Sequence, residues 1–406
     1  MTTATTDRWL SLDDGLPKIP ERLLLAHGRG EVLFLSGAGV SKSAGLPMFR
    51  ELTKKVYRAL DRSVHEILKE IDSCGCRPRE PCECAALDCS DLTDGQTAEV
   101  RRFQRREYDV VLGMLERRLD HHNSKRSRVR ATVEEIFRGR NATPQPIHHN
   151  LIRLADRGPA AAIVTTNFDR LLDIAYHDCW SRRETHSLGA IPRPRAQAEF
   201  AGVLHIHGVL SEGGDQASEL VLTEQDFADF YVRRTVVPDF IYDAARIFHL
   251  VLVGYSANDP PMQTLLNAVA ADATRFGDIR ERYAFLDADE HDRVALEDWT
   301  ARGIEPIPYN PANCHAALHQ TIERWANLSV IAGEQSTVDA EIRRLVETGW
   351  ADSGASNRDL FEHLFRRGSP EERQRLSRVA SDAGADFGWL NAITRVCKEK
   401  GLNEGP

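Results

Sequence analysis

The chain has 406 residues, of which 42% are hydrophobic and 28% are charged, and its formal net charge is −9. This length predicts two or three domains, and this composition is typical of soluble globular proteins rather than membrane-spanning ones. The acidic balance argues against a general nucleic-acid binder, so we expect no direct nucleic-acid contact and no membrane contact. Residues 1–14 lack the basic and apolar regions of a signal peptide, and we therefore expect a cytoplasmic protein.

The first predicted element is a buried strand at residues 31–36, which ends at Gly37. Ser41 or Ser43 is predicted to cap a following helix at residues 49–60. Between residues 62 and 145 the sequence becomes polar and charged with a helical pattern, which predicts an inserted helical subdomain that forms a lid.

Five cysteines are crowded into the predicted insert: Cys74, Cys76, Cys82, Cys84 and Cys89. In a cytosolic protein such crowding suggests a metal site before a disulfide. The C-x-C spacing, however, differs from the C-x-x-C of common zinc sites. We therefore favour a reduced cysteine-bearing loop and keep a structural zinc site as the alternative.

An alternation of strands and helices follows the insert and predicts a Rossmann-like α/β fold with a doubly wound parallel sheet. The predicted strands are residues 161–165, 203–206, 250–253, 283–286 and 305–309, and the predicted helices are 147–157, 169–176 and 294–302. Right-handed crossovers would place the carboxyl ends of these strands along one edge.

The last part of the chain, from about residue 336, has only helical patterns. Ser369 followed by Pro370 predicts a helix start. We predict a catalytic domain at residues 1–335, with its insert at 62–145, and a C-terminal helical domain at 336–406. Its apolar residues are interpreted as an exposed assembly surface, or alternatively as the core of a closed bundle: Phe361, Leu364, Phe365 and Trp389.

A glycine-rich segment follows the first strand, where backbone N–H groups can approach a pyrophosphate. It contains Gly37, Ala38, Gly39 and Ser41, and it continues to Pro47, Phe49 and Arg50. Lys42 stands at the third glycine position of the dinucleotide-binding fingerprint, which argues against an ordinary dehydrogenase. A tight turn without a ligand is the alternative.

Three further motifs lie at predicted strand ends, which is where open α/β sheets bind ligands. They are TTNFD at residues 165–169, HIHG at 205–208 and GYSAND at 254–259. Asn167 and Asp169 could instead cap a helix, and His207 could be a core histidine. We interpret His205 as structural, because alternate residues of a strand face opposite sides. The pairs His121-His122 and His148-His149 are interpreted as surface residues.

The order GAGxS, GxPxFR, TxNxD, HG and GxS resembles the sirtuin family over residues 20–328, apart from the insert. TTNFD, HIHG, LTEQDF at 222–227 and GIEPI at 303–307 make the chain similar to bacterial antiphage-defence sirtuins, which deplete NAD. The resemblance implies an NAD+ glycohydrolase that takes NAD as its substrate, with Asn167, Asp169 and His207 as catalytic residues. His207, titrating near neutral pH, would be a base or would position the ribose hydroxyls.

The same resemblance implies a set of NAD-binding residues and no catalytic metal. The set consists of Gly37, Ala38, Gly39, Ser41, Pro47, Phe49, Arg50, Thr166, Gly254, Ser256 and Asp287. The alternative functions are an NAD-dependent protein deacylase and a scaffold with an inactive site. No cysteine lies between His207 and Gly254, where deacylases carry a zinc module, and this departure favours hydrolysis.

An NAD hydrolase would harm its host unless its activity were controlled. No sensor is recognised in the sequence, so we expect a homo-oligomer with a separate sensor subunit. By analogy with the family, a HerA-like ATPase is the first choice and a short Argonaute the second.

Overall fold

A computed structural model of the chain describes residues 8–73, 88–120, 127–158, 160–195, 199–211, 219–255, 260–273 and 277–399. Its strands are β1 (Trp9–Ser11), β2 (Lys18–Pro20), β3 (Val32–Ser36), β4 (Ala162–Thr165), β5 (Thr185–Ser187), β6 (Gly202–His205), β7 (His249–Val253), β8 (Arg282–Leu286) and β9 (Glu305–Pro308).

The helices fall into three groups along the chain. The first comprises α1 (Glu21–Gly28), α2 (Phe49–Leu60), α3 (Arg62–Ser73), α4 (Asp94–Gln104), α5 (Tyr108–Asp120) and α6 (Arg128–Arg138). The second comprises α7 (Pro146–Leu154), α8 (Leu171–Trp180), α9 (Glu224–Phe227), α10 (Val236–Ile247), α11 (Pro260–Ala273), α12 (Arg293–Thr300) and α13 (Ala312–Leu328). The third comprises α14 (Gln335–Val346), α15 (Ala355–Arg366), α16 (Pro370–Asp382) and α17 (Phe387–Cys397).

Within the described residues, seven strands form one sheet in the order β5-β6-β4-β3-β7-β8-β9, and every pair is parallel. Strands β3, β4 and β7 are almost completely buried, as their unbroken apolar sequences predict. The predicted Rossmann-like α/β fold is confirmed. The segments that follow β3, β4, β6 and β7 therefore meet at one edge of the sheet, which is the edge where the sequence places its motifs.

The two faces of the sheet are covered by different apolar clusters. One contains Phe34 and Ile163 together with α7 and α13, and the other contains Leu35 and Val164 together with α10 and α11. This arrangement fixes the sheet between two helical layers, so that only the strand ends remain available for a site.

The helical insert has an apolar cluster of its own, formed by α2 to α6. Phe168, which lies next to Asn167, belongs to this cluster and packs edge-on against Phe137. The described parts of the predicted insert are thus mainly helical and touch the edge of the sheet that carries the motifs, while its bounds stay a prediction. Cys89 is a partly buried free thiol, whereas Cys74, Cys76, Cys82 and Cys84 lie outside the described residues.

The interpretation of the helical tail as an exposed apolar surface is wrong. Phe361, Leu364, Phe365 and Trp389 are all buried, and they belong to the same cluster as the sheet residue Phe34. Their helical spacing indicated an apolar face but gave no information about what covers it. The predicted helix start is confirmed, because the Ser369 hydroxyl accepts a hydrogen bond from the Glu372 N–H at 3.2 Å. The division at residue 336 stays a prediction.

No helix among the described residues has the length and hydrophobicity required to cross a membrane.

Candidate functional site

The loop after β4 places Asn167 at the centre of the sheet edge. Its N–H donates to the Thr165 hydroxyl at 3.0 Å, and its side-chain amide donates to the Ser41 hydroxyl oxygen at 3.1 Å. The side chain is buried, yet Asn167 Oδ1 has no hydrogen-bond partner among the described residues. Buried polar atoms are almost always paired, so this oxygen is the clearest mark of a ligand position.

Asp169 lies two residues further on, and its side chain has two roles. Its carboxylate accepts the Leu171 N–H at 3.0 Å, which is the helix-start role that the sequence left open. Burial raises the pKa of this carboxyl above its usual range, and the nearby Ser41 hydroxyl partly offsets that rise. Asn167, in contrast, does not cap a helix, because its amide is directed to Ser41.

Ser41 joins the first and second motifs. Its hydroxyl contacts Asn167, Asp169 and His148, whose Nε2 lies 3.4 Å away. The prediction that Ser41 or Ser43 caps α2 is wrong, because both lie in a short 3₁₀ turn at Val40–Ala44 and α2 begins after Met48. The interpretation of His148 as a surface residue is also wrong, since it is fully buried.

His207 follows β6, the neighbour of β4, and is enclosed by aromatic rings. Its Nε2 is 2.6 Å from the Tyr231 hydroxyl, and the rings of Phe227 and Tyr231 lie 5.6 and 5.9 Å from its own. Burial lowers the pKa of His207 to about 3. This value differs from the near-neutral pKa that the sequence led us to expect, and burial favours the neutral ring because no charge among the described residues offsets its desolvation.

His205 is structural, as its place in the strand predicts. Its Nδ1 lies 3.0 Å from the Asn167 carbonyl oxygen and its Nε2 lies 2.9 Å from the Asp173 carboxylate. Asp173 also accepts a hydrogen bond from Thr185. His205 thus supports the backbone of Asn167 from the side of the sheet that lies behind the site.

The glycines after β3 permit two backbones to approach one another. The Gly37 N–H donates to the Val253 carbonyl at 2.9 Å and the Gly39 N–H to the Gly254 carbonyl at 2.8 Å. A Cβ on Gly37 or Gly39 would lie 2.7 Å from the Gly254 oxygen, and Gly254 itself has φ +63°. Glycine is required here for this contact, while ligand binding by Gly37, Ala38, Gly39 and Gly254 stays a prediction.

The other predicted NAD-binding residues are distributed around this centre. Pro47 is buried and Thr166 partly buried, Phe49 packs edge-on against Tyr108, and the Arg50 guanidinium lies 5.6 Å from the Phe103 ring. These contacts join the GxPxFR segment to the insert. Ser256 lies outside the described residues.

Asp287 is exposed after β8, three strands from β4, which corresponds to about 14 Å across the sheet. Its charge acts on Tyr309 and His315, and His315 is 3.5 Å from the Lys42 ammonium. Asp287 therefore belongs to the opposite end of the strand edge from Asn167.

Sequence reasoning missed His148 and Tyr231. For His148 the sequence did contain a signal: Pro146 marks the first turn of α7, and His148 is the third residue of that helix. A side chain at the third position can turn back and bond to the backbone at the helix start, which predicts a structural contact for His148. Tyr231 lies in a π-helical segment, Ala228–Arg233, whose wider turn follows no apolar periodicity.

Comparison with known proteins finds similarity in the part of the chain that carries several of these motifs. Residues 161–307, which include Asn167, His207 and Gly254, match the SIR2-like domain family. The chain is 32% identical to the uncharacterized protein y4cA of Sinorhizobium fredii over 86% of this chain and 28% of that protein. It is 26% identical to defense-associated sirtuin 2 of Bacillus subtilis over 30% of this chain and 12% of that protein. The chain thus spans less than a third of the length of either relative.

A solved structure from work on the mechanism and regulation of Sir2 enzymes is similar over 78% of this chain and 98% of that chain, with 13% identity and a TM-score of 0.34. Three of the four motifs at the sheet edge therefore lie within the segment that is similar to the SIR2-like domain family, residues 161–307.

Proposed function

We propose that the chain is an NAD+ hydrolase that cleaves the nicotinamide–ribose bond and releases nicotinamide and ADP-ribose. The observation that carries this proposal is Asn167 Oδ1, a buried acceptor at the carboxyl edge of a parallel sheet that has no hydrogen-bond partner in the part of the chain that the structure describes. A ribose hydroxyl or an attacking water is a donor of the size and polarity that such an acceptor requires.

The extent of the strand edge supports a substrate with two ends. Asn167 and His207 follow adjacent strands, whereas Asp287 follows β8, and three strand spacings separate β8 from β4, or about 14 Å. The glycine loop lies between them. A nicotinamide ribose at the first position, a pyrophosphate at the loop and an adenosine ribose at the second would fit this order.

The protonation state of His207 defines what it contributes. A neutral imidazole exchanges hydrogen bonds without adding a positive charge to a ribose ring that itself becomes cationic as nicotinamide leaves. We therefore assign His207 to the positioning of a ribose hydroxyl or water, and Asn167 to the orientation of the reacting ribose.

The test is product analysis with the purified full chain and NAD+, with and without an acetylated lysine peptide. Hydrolysis gives ADP-ribose and nicotinamide whether or not peptide is present. O-acetyl-ADP-ribose formed only with peptide would instead identify a deacylase. Absence of both products with NAD+ still bound, for the chain alone and together with its partner subunit, would favour a scaffold with an inactive site.

We further propose that the protein acts in antiphage defence under the control of a separate subunit. The similarity to defense-associated sirtuin 2 supports the defence role. A HerA-like ATPase is the first candidate partner and a short Argonaute the second. Co-purification of the tagged chain with each candidate, followed by the NAD+ assay, tests this assignment.

A further inference from the structure

We propose that His148 is a positioning residue that holds Asn167 and Asp169 in their reactive arrangement through the Ser41 hydroxyl. This inference rests on the proposed function for its kinetic readout only. It is carried by hydrogen bonds that run from Gln145 at the start of α7 through His148 to Ser41. His148 is fully buried and therefore does not touch a substrate itself.

The tautomer of His148 is fixed by the backbone. The Gln145 N–H donates to His148 Nδ1 at 3.0 Å, so Nδ1 is an acceptor and carries no proton. Burial lowers the pKa of His148 to about 4, and the ring is therefore neutral at pH 7. A neutral imidazole that accepts at Nδ1 must carry its proton on Nε2, and that Nε2–H is directed at Ser41 Oγ, 3.4 Å away.

The direction of the Ser41 hydroxyl follows from this tautomer. Its oxygen already accepts from the Asn167 amide at 3.1 Å and from His148 Nε2–H. Its single proton is then available to the third neighbour, the Asp169 carboxyl group, whose pKa burial raises and the Ser41 hydroxyl partly lowers. Both acceptor sites and the one donor of the hydroxyl are then used, and its rotation is restricted.

The consequence for Asn167 is a defined orientation of its amide. Ser41 can accept from Asn167 only through Nδ2, so Oδ1 is the atom left unpaired. The Nε2–H of His148 occupies the remaining acceptor site of the Ser41 hydroxyl and so fixes the oxygen to which the Asn167 amide donates. His148 thus holds in place the partner that orients the Asn167 amide.

Two substitutions separate the two ring nitrogens. In His148→Asn the shorter side chain keeps an acceptor at the position of Nδ1 for the Gln145 N–H but has no donor to Ser41. In His148→Gln the longer amide reaches the position of Nε2 and keeps that donor. His149→Asn is the matched control, since His149 is half-exposed and its Nε2 lies 3.1 Å from Asp178.

The first measurement does not depend on activity. Nitrogen-15 chemical shifts of the histidine rings should show His148 with its proton on Nε2. Solvent exchange of the Asn167 side-chain amide protons should be slow in the wild type, about 10–100 times faster in His148→Asn, and close to wild type in His148→Gln and His149→Asn. A proton on Nδ1, or unchanged exchange in folded His148→Asn, would overturn the inference.

The second measurement is steady-state NAD+ hydrolysis. His148→Asn should lower kcat about 10–100-fold with KM within about 3-fold of wild type, and His148→Gln should restore most of the rate. Equal rates in His148→Asn and wild type would contradict the positioning role, as would equal losses in both variants. A wild type that is inactive both alone and with its partner subunit would contradict the proposed function, while the amide-exchange measurement would still decide the role of His148.

Discussion

Asn167 and Ser41 are 126 residues apart in the sequence, yet a hydrogen bond of 3.1 Å joins the Asn167 amide to the Ser41 hydroxyl. It connects the loop after β4 with the turn after β3 and leaves Asn167 Oδ1 free of partners in the described part of the chain. The two motifs at these strand ends therefore form one unit rather than two separate contacts to a ligand.

Ser41→Ala should lower the rate of NAD+ hydrolysis with little effect on folding. The substitution leaves the Asn167 amide and the Asp169 carboxylate without a shared partner, which costs about 1–3 kcal/mol of positioning, or roughly 10–100-fold in kcat. The matched control is Ser43→Ala, because the Ser43 hydroxyl makes only a 3.4 Å contact with the Val40 carbonyl of its own turn. Equal rates in the two variants would remove Ser41 from the reactive arrangement.

Tyr231→Phe should reduce activity about 10-fold while leaving the fold intact, since it removes only the hydroxyl that holds His207 Nε2. The aromatic enclosure by Phe227 and the ring at position 231 is retained. Thermal unfolding and kcat should be measured together. A faster enzyme after the substitution would show that Tyr231 blocks His207 instead of supporting it.

The pH dependence of hydrolysis should lack a histidine step near neutrality. Because burial lowers the pKa of His207 to about 3, its protonation state does not change between about pH 6 and pH 8. kcat should be flat in this range for the wild type. A fall in kcat with a midpoint near pH 6.5 that disappears in His207→Gln would contradict the assignment of a neutral His207.

Stability should fall as the solution is acidified from about pH 6.5. Burial lowers the pKa of His27 and of His148 to about 4 from an ordinary 6.5, so the unfolded state binds more protons between these values. Each contributes stability that is fully present above pH 6.5 and is lost as the pH falls through 4, roughly 3 kcal/mol per group. Glu21, with a pKa lowered to about 2, adds a loss at still lower pH.

The check is the free energy of unfolding measured in denaturant at several pH values. His27→Gln keeps a donor for the Leu154 carbonyl, which His27 Nε2 contacts at 2.9 Å, but cannot titrate. Its stability should therefore depend less steeply on pH than that of the wild type. Parallel curves for wild type and His27→Gln would contradict the argument.

Arg130 links the insert to the segment that carries Tyr231. Its guanidinium donates to both oxygens of Asp226 at 2.7 and 2.8 Å and to the Leu220 carbonyl at 2.9 Å. Arg130→Met should destabilise the protein by about 1.5–3 kcal/mol and lower activity with it, because charge-assisted bonds are lost around Asp226. Arg128→Met, which removes an exposed pair with Asp120, is the control for a general charge effect.

The sheet could be predicted because its signals are local. Strands such as β3 and β4 are unbroken apolar runs, and each ends at a motif residue such as Gly37 or Asn167. Strand β5 has only three half-buried residues and gave no such signal. The positions of Asn167 and His207 on one edge followed from topology alone.

What the sequence could not provide were contacts between distant segments. The burial of His148 depends on the turn at Ser41, 107 residues earlier in the chain. The neutral state of His207 depends on one ring from α9 and one from the π-helical segment. Burial of Trp389 in the tail likewise depends on a partner surface that helical periodicity does not identify. Local sequence patterns identified candidate site residues such as Asn167 and His207. The protonation and orientation of their side chains could be seen only in the packed structure.

The most direct test of the account compares NAD+ hydrolysis by wild type and Asn167→Ala, with Asn150→Ala as a control. Asn150 is similarly buried but accepts a hydrogen bond from Arg153 outside the site. Loss of one positioned polar group at the reacting centre costs about 3–4 kcal/mol. Asn167→Ala should therefore keep its fold but release ADP-ribose roughly several hundred-fold more slowly than the wild type. Asn150→Ala should retain the wild-type rate. Release of ADP-ribose at the wild-type rate by folded Asn167→Ala would contradict the account.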